Sequence, residues 1–320
     1  MNVLVTGGAG YVGSAMVPLL LAAGHRVRVL DVLLHGGDSL LGVWSDPRFE
    51  LVRGDVRDPA VVRRALDGID GVVHLAAIVG DPACAREPGL ARAVNVDASL
   101  ALIAAAEQAG VERFVFASTC SNYGRMADPT GYVTEDSPVA PVSLYAETKV
   151  AIEGALLGRH DRGGMQVTAL RFATVFGVSP RMRFDLTVNE FTLAMIRDRR
   201  LVVYGEQFWR PYVHVRDVGR AVARTLEANA ALVAGGVFNV GSTTENYQKR
   251  QLVDLIAPHA PDAAVEYVER LEDPRDYRVS FARIRERLGF EISATVPDGV
   301  GEVARLVRAG IVPPAAKEAS

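Results

Sequence analysis

Cysteine is scarce: Cys84 and Cys120 are the only two in 320 residues. Two thiols make neither a disulfide framework nor a metal-binding pattern, so a stapled secreted module and a zinc domain are excluded and no metal site is expected. Charge of one sign is scarce too. A net charge of -3 is too small for a nucleic-acid surface. Long apolar runs are missing: the longest, near 15–23, is too short to span a bilayer and contains Pro18. No basic segment precedes the apolar run that starts at residue 2, so no signal peptide is expected. Repeats, low-complexity tracts and linkers are absent as well. Together these absences predict a reduced, cytoplasmic enzyme without nucleic-acid or membrane partners. A hydrophobic content of 49% and a charged content of 23% fit a globular chain, which at this length holds one large α/β domain or two modest ones.

What is present begins with Val3-Leu4-Val5-Thr6-Gly7-Gly8-Ala9-Gly10-Tyr11-Val12-Gly13. An apolar run ends in a glycine turn and opens into an apolar-periodic segment, which reads as strand, tight turn, helix. Gly8, Gly10 and Gly13 spell G-x-G-x-x-G, and Gly7 sits three before Gly10. A side chain at the central glycine would hold the backbone off a pyrophosphate. The following helix offers that pyrophosphate free N–H groups and a positive dipole end. Asp31 closes a second apolar run 18 residues after Gly13. Its carboxylate suits both hydroxyls of an adenosine ribose and repels a 2′-phosphate.

Strand patterns recur at 2–6, 26–31, 49–53, 71–76, 112–118, 166–172 and 236–240. Helical patterns fall at 12–23, 59–66, 90–109, 144–160, 187–198, 215–228 and 248–257. This alternation predicts an α/β fold with a doubly wound parallel sheet covered on both faces. After Gly177 the pattern loosens, and a smaller, discontinuous substrate-covering region is expected there. The expected division is 1–177 with 212–241 for the dinucleotide domain, and 178–211 with 242–320 for the substrate region. Residues 313–320 read as a frayed tail.

Asp55 and Val56 follow the third strand, where the carboxylate and an N–H can face an adenine or simply close a turn. Asp58 reads as an N-cap ahead of Pro59. His74 lies in a strand and reads as a packed core histidine, while Leu75, Ala76 and Ala77 let the backbone approach the dinucleotide. Asp81 to Cys84 read as a loop above the strand ends. Asn95 reads as a buried tie between strands behind the nicotinamide half.

The fifth strand ends in Ser118-Thr119-Cys120-Ser121-Asn122-Tyr123-Gly124. Tyr145 and Lys149 stand four apart at the head of a helical pattern and share a face. Tyrosine, with an unperturbed pKa near ~10, is a poor base at neutral pH. A neighbouring ammonium and an oxidised nicotinamide favour its phenolate, which can take a proton from a sugar hydroxyl as hydride leaves the same carbon. Thr119 can hold that hydroxyl in line, and Lys149 can also hold the nicotinamide ribose.

Taken together, TGGAGYVG at 6–13, Asp31, GDV at 54–56, HLAA at 74–77, Asn95, STCSNYG at 118–124, YAETK at 145–149 and RFATVFG at 171–177 resemble the extended short-chain dehydrogenase/reductase family, in its nucleotide-sugar epimerase and dehydratase branch. The resemblance implies a Rossmann NAD domain with a tightly held NAD. By position it makes Thr119, Tyr145 and Lys149 the catalytic set. Dehydratases of that branch carry Asp-Glu where this chain has Cys120 and Ser121, which disfavours dehydration. The usual Asn of the family's R-x-x-N-V-x-G motif is Thr174 here, so contacts to the substrate phosphates are expected to differ from the family's. No arginine closely follows Asp31, which favours NAD over NADP. The remaining substrate-side candidates are Ser121, Asn122, Arg181, Arg183, Asn189, which precedes the helical run that lines the nucleotide pocket, and Arg210, matched to the family's diphosphate arginine. Arg270, three before Asp273, and Arg275 compete for a second phosphate role.

The stretches ATVFGVSPRMRFDL and WRPYVHVRD are similar to a subgroup acting at C4 of nucleotide-linked heptoses. The expected function is an NAD-dependent nucleotide-diphosphate-sugar 4-epimerase. A 4-dehydrogenase that releases the keto sugar uses the same residues, and a non-catalytic dinucleotide sensor is the reading from another class. A homodimer through helices 90–109 and 144–160 is expected.

Overall fold

The computed structural model describes residues 1–126, 131–160, 164–270 and 275–311. The expected tail at 313–320 and the residue Asp273 lie outside the described residues. The N-terminal half runs β1 (Asn2–Thr6), α1 (Tyr11–Ala22), β2 (Arg26–Asp31), β3 (Phe49–Arg53), α2 (Pro59–Leu66), β4 (Gly71–His74), α3 (Asp81–Arg86), α4 (Pro88–Arg92), α5 (Ser99–Gln108), β5 (Arg113–Thr119), α6 (Leu144–His160) and β6 (Gln166–Phe172). The rest adds β7 (Thr174–Phe176), α7 (Thr187–Leu193), β8 (Arg200–Tyr204), β9 (Trp209–His214), α8 (Val215–Glu227), α9 (Ala230–Val233), β10 (Gly236–Val240), β11 (Asn246–Gln248), α10 (Lys249–Ile256), β12 (Ala264–Val268), α11 (Ala282–Leu288) and α12 (Val296–Arg308).

Seven strands form one parallel sheet in the order β10-β6-β5-β4-β1-β2-β3. The strands read as near-continuous apolar runs because both faces are covered. Val3 and Val5 face one layer with Met16, Val17 and Leu20 of α1 and Val218 and Val222 of α8. Leu4, Phe114 and Phe116 face the other, with Leu66 of α2, Leu102 and Ile103 of α5 and Ile152 of α6. Each such fully buried side chain contributes roughly 1.5–3 kcal/mol. The chain leaves β1 toward β2 and β3, then returns on the opposite side to β4. That reversal opens a crevice at the C-terminal ends of β1 and β4, where open α/β sheets bind ligands.

A three-stranded sheet, β11-β9-β7, and a two-stranded one, β12-β8, lie outside the main sheet. They share a third core of Phe176, Val188, Leu201, Tyr212, Leu252 and Val300. Tyr277, Phe281 and Ile284 instead pack into the first layer beside Phe238.

The seven sheet strands stand where the alternation put them, and Asp58 caps α2 by accepting from the N–H groups of Ala60 (2.8 Å) and Val61 (3.4 Å). Among the stretches that differ, three stand out. The expected loop at Asp81–Cys84 is the helix α3, with Pro82 in its first turn. The expected helix 90–109 is α4, a π-helical turn at Ala93–Ala98 and α5. The stretch Pro88–Gln108 is long and apolar enough to cross a membrane by length and composition, longer than the run at 15–23. Its Ala98, Leu102, Ile103 and Ala106 are packed inside the second layer. Finally, α12 was hidden in the sequence by Pro297, Gly299 and Gly301. Its Val296, Val300, Val303 and Ala304 are nonetheless one buried stripe, started by a Thr295–Asp298 capping box.

Candidate functional site

The glycine turn joins β1 to α1 at the crevice. Gly7 has φ +74°, and a Cβ there would stand 2.8 Å from the Ala76 backbone nitrogen. A Cβ on Gly13 would stand 2.5 Å from Gly8 Cα. These two glycines therefore pack backbone on backbone. Gly10 is different: it begins α1, and no side chain caps the helix there. The first-turn amides at Tyr11, Val12 and Gly13 form an uncapped helix end of the kind that binds phosphate. Asp31 ends β2 with its carboxylate accepting from Ala9 N–H (2.9 Å) and Leu33 N–H (2.8 Å). Its half-exposed oxygens keep lone pairs for hydroxyls. An uncapped helix end beside a carboxylate fits a dinucleotide.

Behind this turn, His74 is a brace. Its ring bonds Thr6 Oγ1 (2.7 Å) and Ser99 Oγ (2.8 Å), and burial holds its pKa down to about 3, so it is neutral. Leu75, Ala76 and Ala77 follow it, half-buried, along the crevice.

Several expected contacts prove to be internal. The Asn95 amide accepts from Ile78 N–H (2.8 Å) and donates to Ile78 O (2.9 Å) and Thr148 Oγ1 (3.4 Å). It fixes the loop after β4 to α6, the buried tie that its position suggested. Asp55 is bound by the guanidinium (2.6 Å) and N–H (2.8 Å) of Arg57 on its own turn, which competes with an adenine contact. Val56 is buried. The Tyr11 side chain is buried with its hydroxyl donating to Gly177 O (2.7 Å), so only its backbone faces the crevice.

The chemical half is built where α6 crosses the end of β5. Tyr145, Lys149 and Glu153 follow each other at single-turn spacing along α6. Lys149 Nζ donates to Ala117 O (2.8 Å), and Ser118 Oγ donates to Glu153 Oε2 (2.7 Å). The next residue, Thr119, accepts on Oγ1 from Ser121 N–H (3.1 Å). Lys149 is buried and lies 5.8 Å from the Tyr145 ring centroid; burial pulls its pKa to about 8. Burial raises the Tyr145 pKa, Arg183 opposes the rise, and Cys84, Asp81 and Tyr277 add to it. Lys149 thus stands beside Tyr145, and Arg183 is a second protein cation acting on it.

The loop after β7 carries two arginines to different places. Arg183 pairs with Asp185 (3.0 Å at Nε) and is oriented through its carbonyl by Asn189 Nδ2 (2.9 Å). Asn189 is fully buried and also accepts from Gly177 N–H (3.0 Å), so it shapes the loop instead of binding substrate. Arg181 sits at the start of α1, its N–H donating to Ser14 Oγ (3.3 Å), and helps hold down the pKa of His35, four residues past Asp31. The Arg181 backbone is thus anchored on α1, and its guanidinium interacts electrostatically both with His35 and with Arg183 and Asp185.

Thr174 begins β7 opposite Tyr212, half-buried. Arg210 is buried; it donates to Trp209 O (2.7 Å) and to Arg275 O, with its guanidinium 5.6 Å from the Tyr277 ring centroid. Arg275 pairs with Asp81 (2.7 Å) on α3. Arg270 is exposed past the end of β12, where its carbonyl accepts from Gln207 (2.8 Å). Of the two competing arginines, Arg275 is the one gathered with Arg210. Asn122 is fully buried and donates to Ser118 Oγ (3.1 Å), which corrects its assignment to substrate.

Two features escaped the sequence reading. Glu153 and Arg171 form a buried ion pair beneath Thr119, extended by Arg171 to Tyr123 Oη (2.9 Å) and by Tyr123 to Asn239 Oδ1 (2.7 Å). Glu153 was findable, because it stands four residues after Lys149. Cys120 faces this network, donating to Arg171 O (3.2 Å), and burial raises its pKa, so it is an inert thiol. The other feature is Tyr277, which no motif marked.

Comparison with known proteins agrees with this geometry. The NAD dependent epimerase/dehydratase family matches residues 3–241. A UDP-glucose 4-epimerase of Mycolicibacterium smegmatis is 33% identical over 316 residues, 96% of this chain and 99% of the relative. A dTDP-glucose 4,6-dehydratase of Streptomyces griseus is 33% identical over 309 residues, 93% of this chain and 92% of the relative. The crystal structure of a Thermus thermophilus UDP-glucose 4-epimerase in complex with NAD superimposes with a TM-score of 0.83 at 30% identity, covering 96% of this chain and 99% of that one.

Proposed function

This chain belongs to the NAD-dependent epimerase/dehydratase family, and we propose that it is a nucleotide-diphosphate-sugar 4-epimerase. The observation that carries this reading is the gathering of Thr119, Tyr145 and Lys149 at the end of β5 without a carboxylate at 120 or 121. Cys120 is turned into the buried network and Ser121 has a neutral hydroxyl. A dehydratase needs an acid to protonate its leaving hydroxyl and a base for the next carbon. An epimerase needs neither.

In this reading Gly10, the amides of Tyr11 and Val12, Arg181 and Asp31 hold NAD, with Asn95 positioning the loop beneath it. NAD, when bound, supplies the hydride acceptor and donor for C4. Tyr145 takes the proton from the C4 hydroxyl and returns it after the keto sugar has turned its other face. Thr119 holds that oxygen in line, and Arg183 favours the tyrosinate. Lys149, bonded to Ala117 O, would hold the nicotinamide ribose. Arg210 and Arg275 bind the diphosphate bidentately. Residues 1–177 with 212–241 carry the cofactor, and 178–211 with 242–320 cover the sugar. The likeness of the 173–186 and 209–217 stretches to the C4-acting heptose subgroup favours a heptose or hexose substrate.

The test is turnover of a panel of nucleotide-linked hexoses and heptoses, read by mass spectrometry and NMR. Unchanged mass with inverted C4 couplings is expected. Loss of two hydrogens with NADH formed would replace the epimerase by a 4-dehydrogenase, and loss of water would sink the argument from Cys120 and Ser121. The protein is further expected to pair through α5 and α6; a monomer throughout the micromolar range in sedimentation would refute that.

A further inference from the structure

We propose that Ser179 is a positioning residue for the cofactor: from the loop after β7 it donates a hydrogen bond to the Tyr11 carbonyl, holds the first turn of α1 in place and strengthens the Val12 N–H as a donor to the NAD pyrophosphate.

The contact joins the loop to the glycine turn across 168 positions of sequence. Ser179 Oγ lies 2.6 Å from Tyr11 O and 3.0 Å from Ser14 Oγ. Ser14 Oγ accepts from Arg181 N–H (3.3 Å) and stands 3.5 Å from Tyr11 O. Each hydroxyl has one proton to give. The Ser179 proton belongs on Tyr11 O, the shorter contact, which leaves the Ser179 oxygen to accept from Ser14. The chain therefore has one direction: Arg181 N–H to Ser14, Ser14 to Ser179, Ser179 to the Tyr11 carbonyl. Ser14 is 1% and Ser179 4% exposed, so water does not compete for these groups.

The loop is aimed from beneath. The Tyr11 hydroxyl donates to Gly177 O (2.7 Å) and accepts from Asn189 Nδ2 (3.3 Å). Gly177 has φ +102°, and a Cβ there would stand 2.2 Å from His214 Nε2, so the loop is seated on that ring. His214 is fixed in turn by Glu302 of α12 (2.9 Å). Packing under the loop, and not a ligand, thus sets where the Ser179 hydroxyl points.

Tyr11 O and Val12 N–H belong to one peptide group. A donor on the carbonyl polarises that group, and its N–H becomes a stronger donor in turn. Val12 lies in the first turn of α1, where Gly10 supplies no capping side chain to take up that N–H. Ser179 adds its proton to the Tyr11 carbonyl from outside the helix. It touches no ligand itself: it acts through the Tyr11–Val12 peptide. An otherwise local turn is in this way completed by a residue from the far side of the sequence.

This inference rests on the reading that the first turn of α1 holds NAD, and its test tells the two failures apart. In the NAD-loaded protein, exchange of bound NAD for isotopically labelled NAD is followed by mass spectrometry. Ser179→Ala is expected to speed release about 3- to 10-fold, the worth of one buried hydrogen bond. Ser14→Ala leaves the bond to Tyr11 in place and should change release by less than about 2-fold, while amide hydrogen exchange at Arg181 becomes faster because that N–H has lost its acceptor. Thr192→Val removes an equally buried hydroxyl from α7, outside the chain, and should alter neither. Unchanged release from Ser179→Ala, or an equal acceleration by Ser14→Ala or Thr192→Val, would overturn the proposal, since general loosening would then explain the effect. Should Ser179→Ala not fold, Ser179→Cys keeps the shape and replaces the hydroxyl by a weak donor, and the same acceleration is expected of it. An unaltered protein that holds no NAD would remove the cofactor reading together with this role. One that holds NAD and releases it at the rate of the Ser179 variants removes the role alone.

Discussion

The crevice has two walls made by different physics. The dinucleotide wall is local: the glycine turn, the start of α1 and Asp31 lie within 31 residues, and their geometry follows from steric rules on the backbone. The sugar wall is assembled from afar. Arg275 meets Asp81 across 194 positions, and Arg183 reaches Tyr145 from a loop beyond β7. A local wall tolerates almost no change at its glycines. An assembled wall tolerates change at single positions but owes its shape to pairs. The difference explains how one family can keep its cofactor and change its sugar.

The largest effect should come from the point where the walls meet. Tyr145→Phe is expected to lower turnover by about 10³- to 10⁴-fold while NAD stays bound, measured by steady-state assay and by NAD content after gel filtration. Substantial residual turnover would remove Tyr145 from the mechanism. Next comes the local wall. In Gly13→Ala the new Cβ meets Gly8 Cα and the Gly7 carbonyl at 2.5 Å, both backbone and unable to yield. The variant should lose several kcal/mol of stability, about 3 or more, and its NAD as well. A Tm and NAD content like those of the unaltered chain would show that the glycine turn is looser than its geometry.

Lys149 sharpens the comparison from the side of stability. Its pKa falls from 10.5 to about 8 by burial. Between pH 8 and 10.5 the unfolded chain therefore binds more protons than the folded one, and stability rises with pH through that window. Below pH 8 the full cost of burying the ammonium applies, about 3 kcal/mol at 1.36 kcal/mol per unit. In protein stripped of NAD, Lys149→Met should be the more stable form at pH 7, by up to that amount less the lost bond to Ala117. Its advantage should shrink as pH climbs to 10.5. Denaturant midpoints that stay parallel across this range would show that the lysine is better solvated than its position indicates.

The same division decides what the sequence could tell. The seven strands of the main sheet, the turn at Gly10 and the Asp58 cap were readable because each depends on neighbours within a few residues. Lys149 beside Tyr145 was readable from helical spacing, and Glu153 obeyed the same rule. Asn122 and Asn189, read as substrate contacts, turn inward for one reason, whereas Asn95 is the buried tie its position suggested. A polar side chain in a conspicuous stretch can face a ligand or the protein's own groups, and only the distant partner decides: Ser118 for Asn122, Gly177 for Asn189. Tyr277 had no local signature at all, since its ring partners, Tyr123 and Arg210, are distant from it in sequence.

Two arginines test the assembled wall at its weakest effects. Arg210 is buried against Tyr277 and joined to Arg275, whereas Arg270 is exposed beyond β12. Arg210→Gln should raise KM for the nucleotide sugar about 10- to 100-fold, the loss of a charge-assisted pair to a phosphate, with kcat changed far less. Arg270→Ala should leave KM within about 2-fold, because an exposed charge screened by salt contributes little. Both variants are read with the same substrate and the same ionic strength. Equal effects would mean that burial beside Tyr277 does not distinguish a diphosphate arginine from a solvated one. A reversed order would move the diphosphate toward the end of β12 and detach it from the Tyr277 segment, and the sugar would then have to enter from the other side of the crevice.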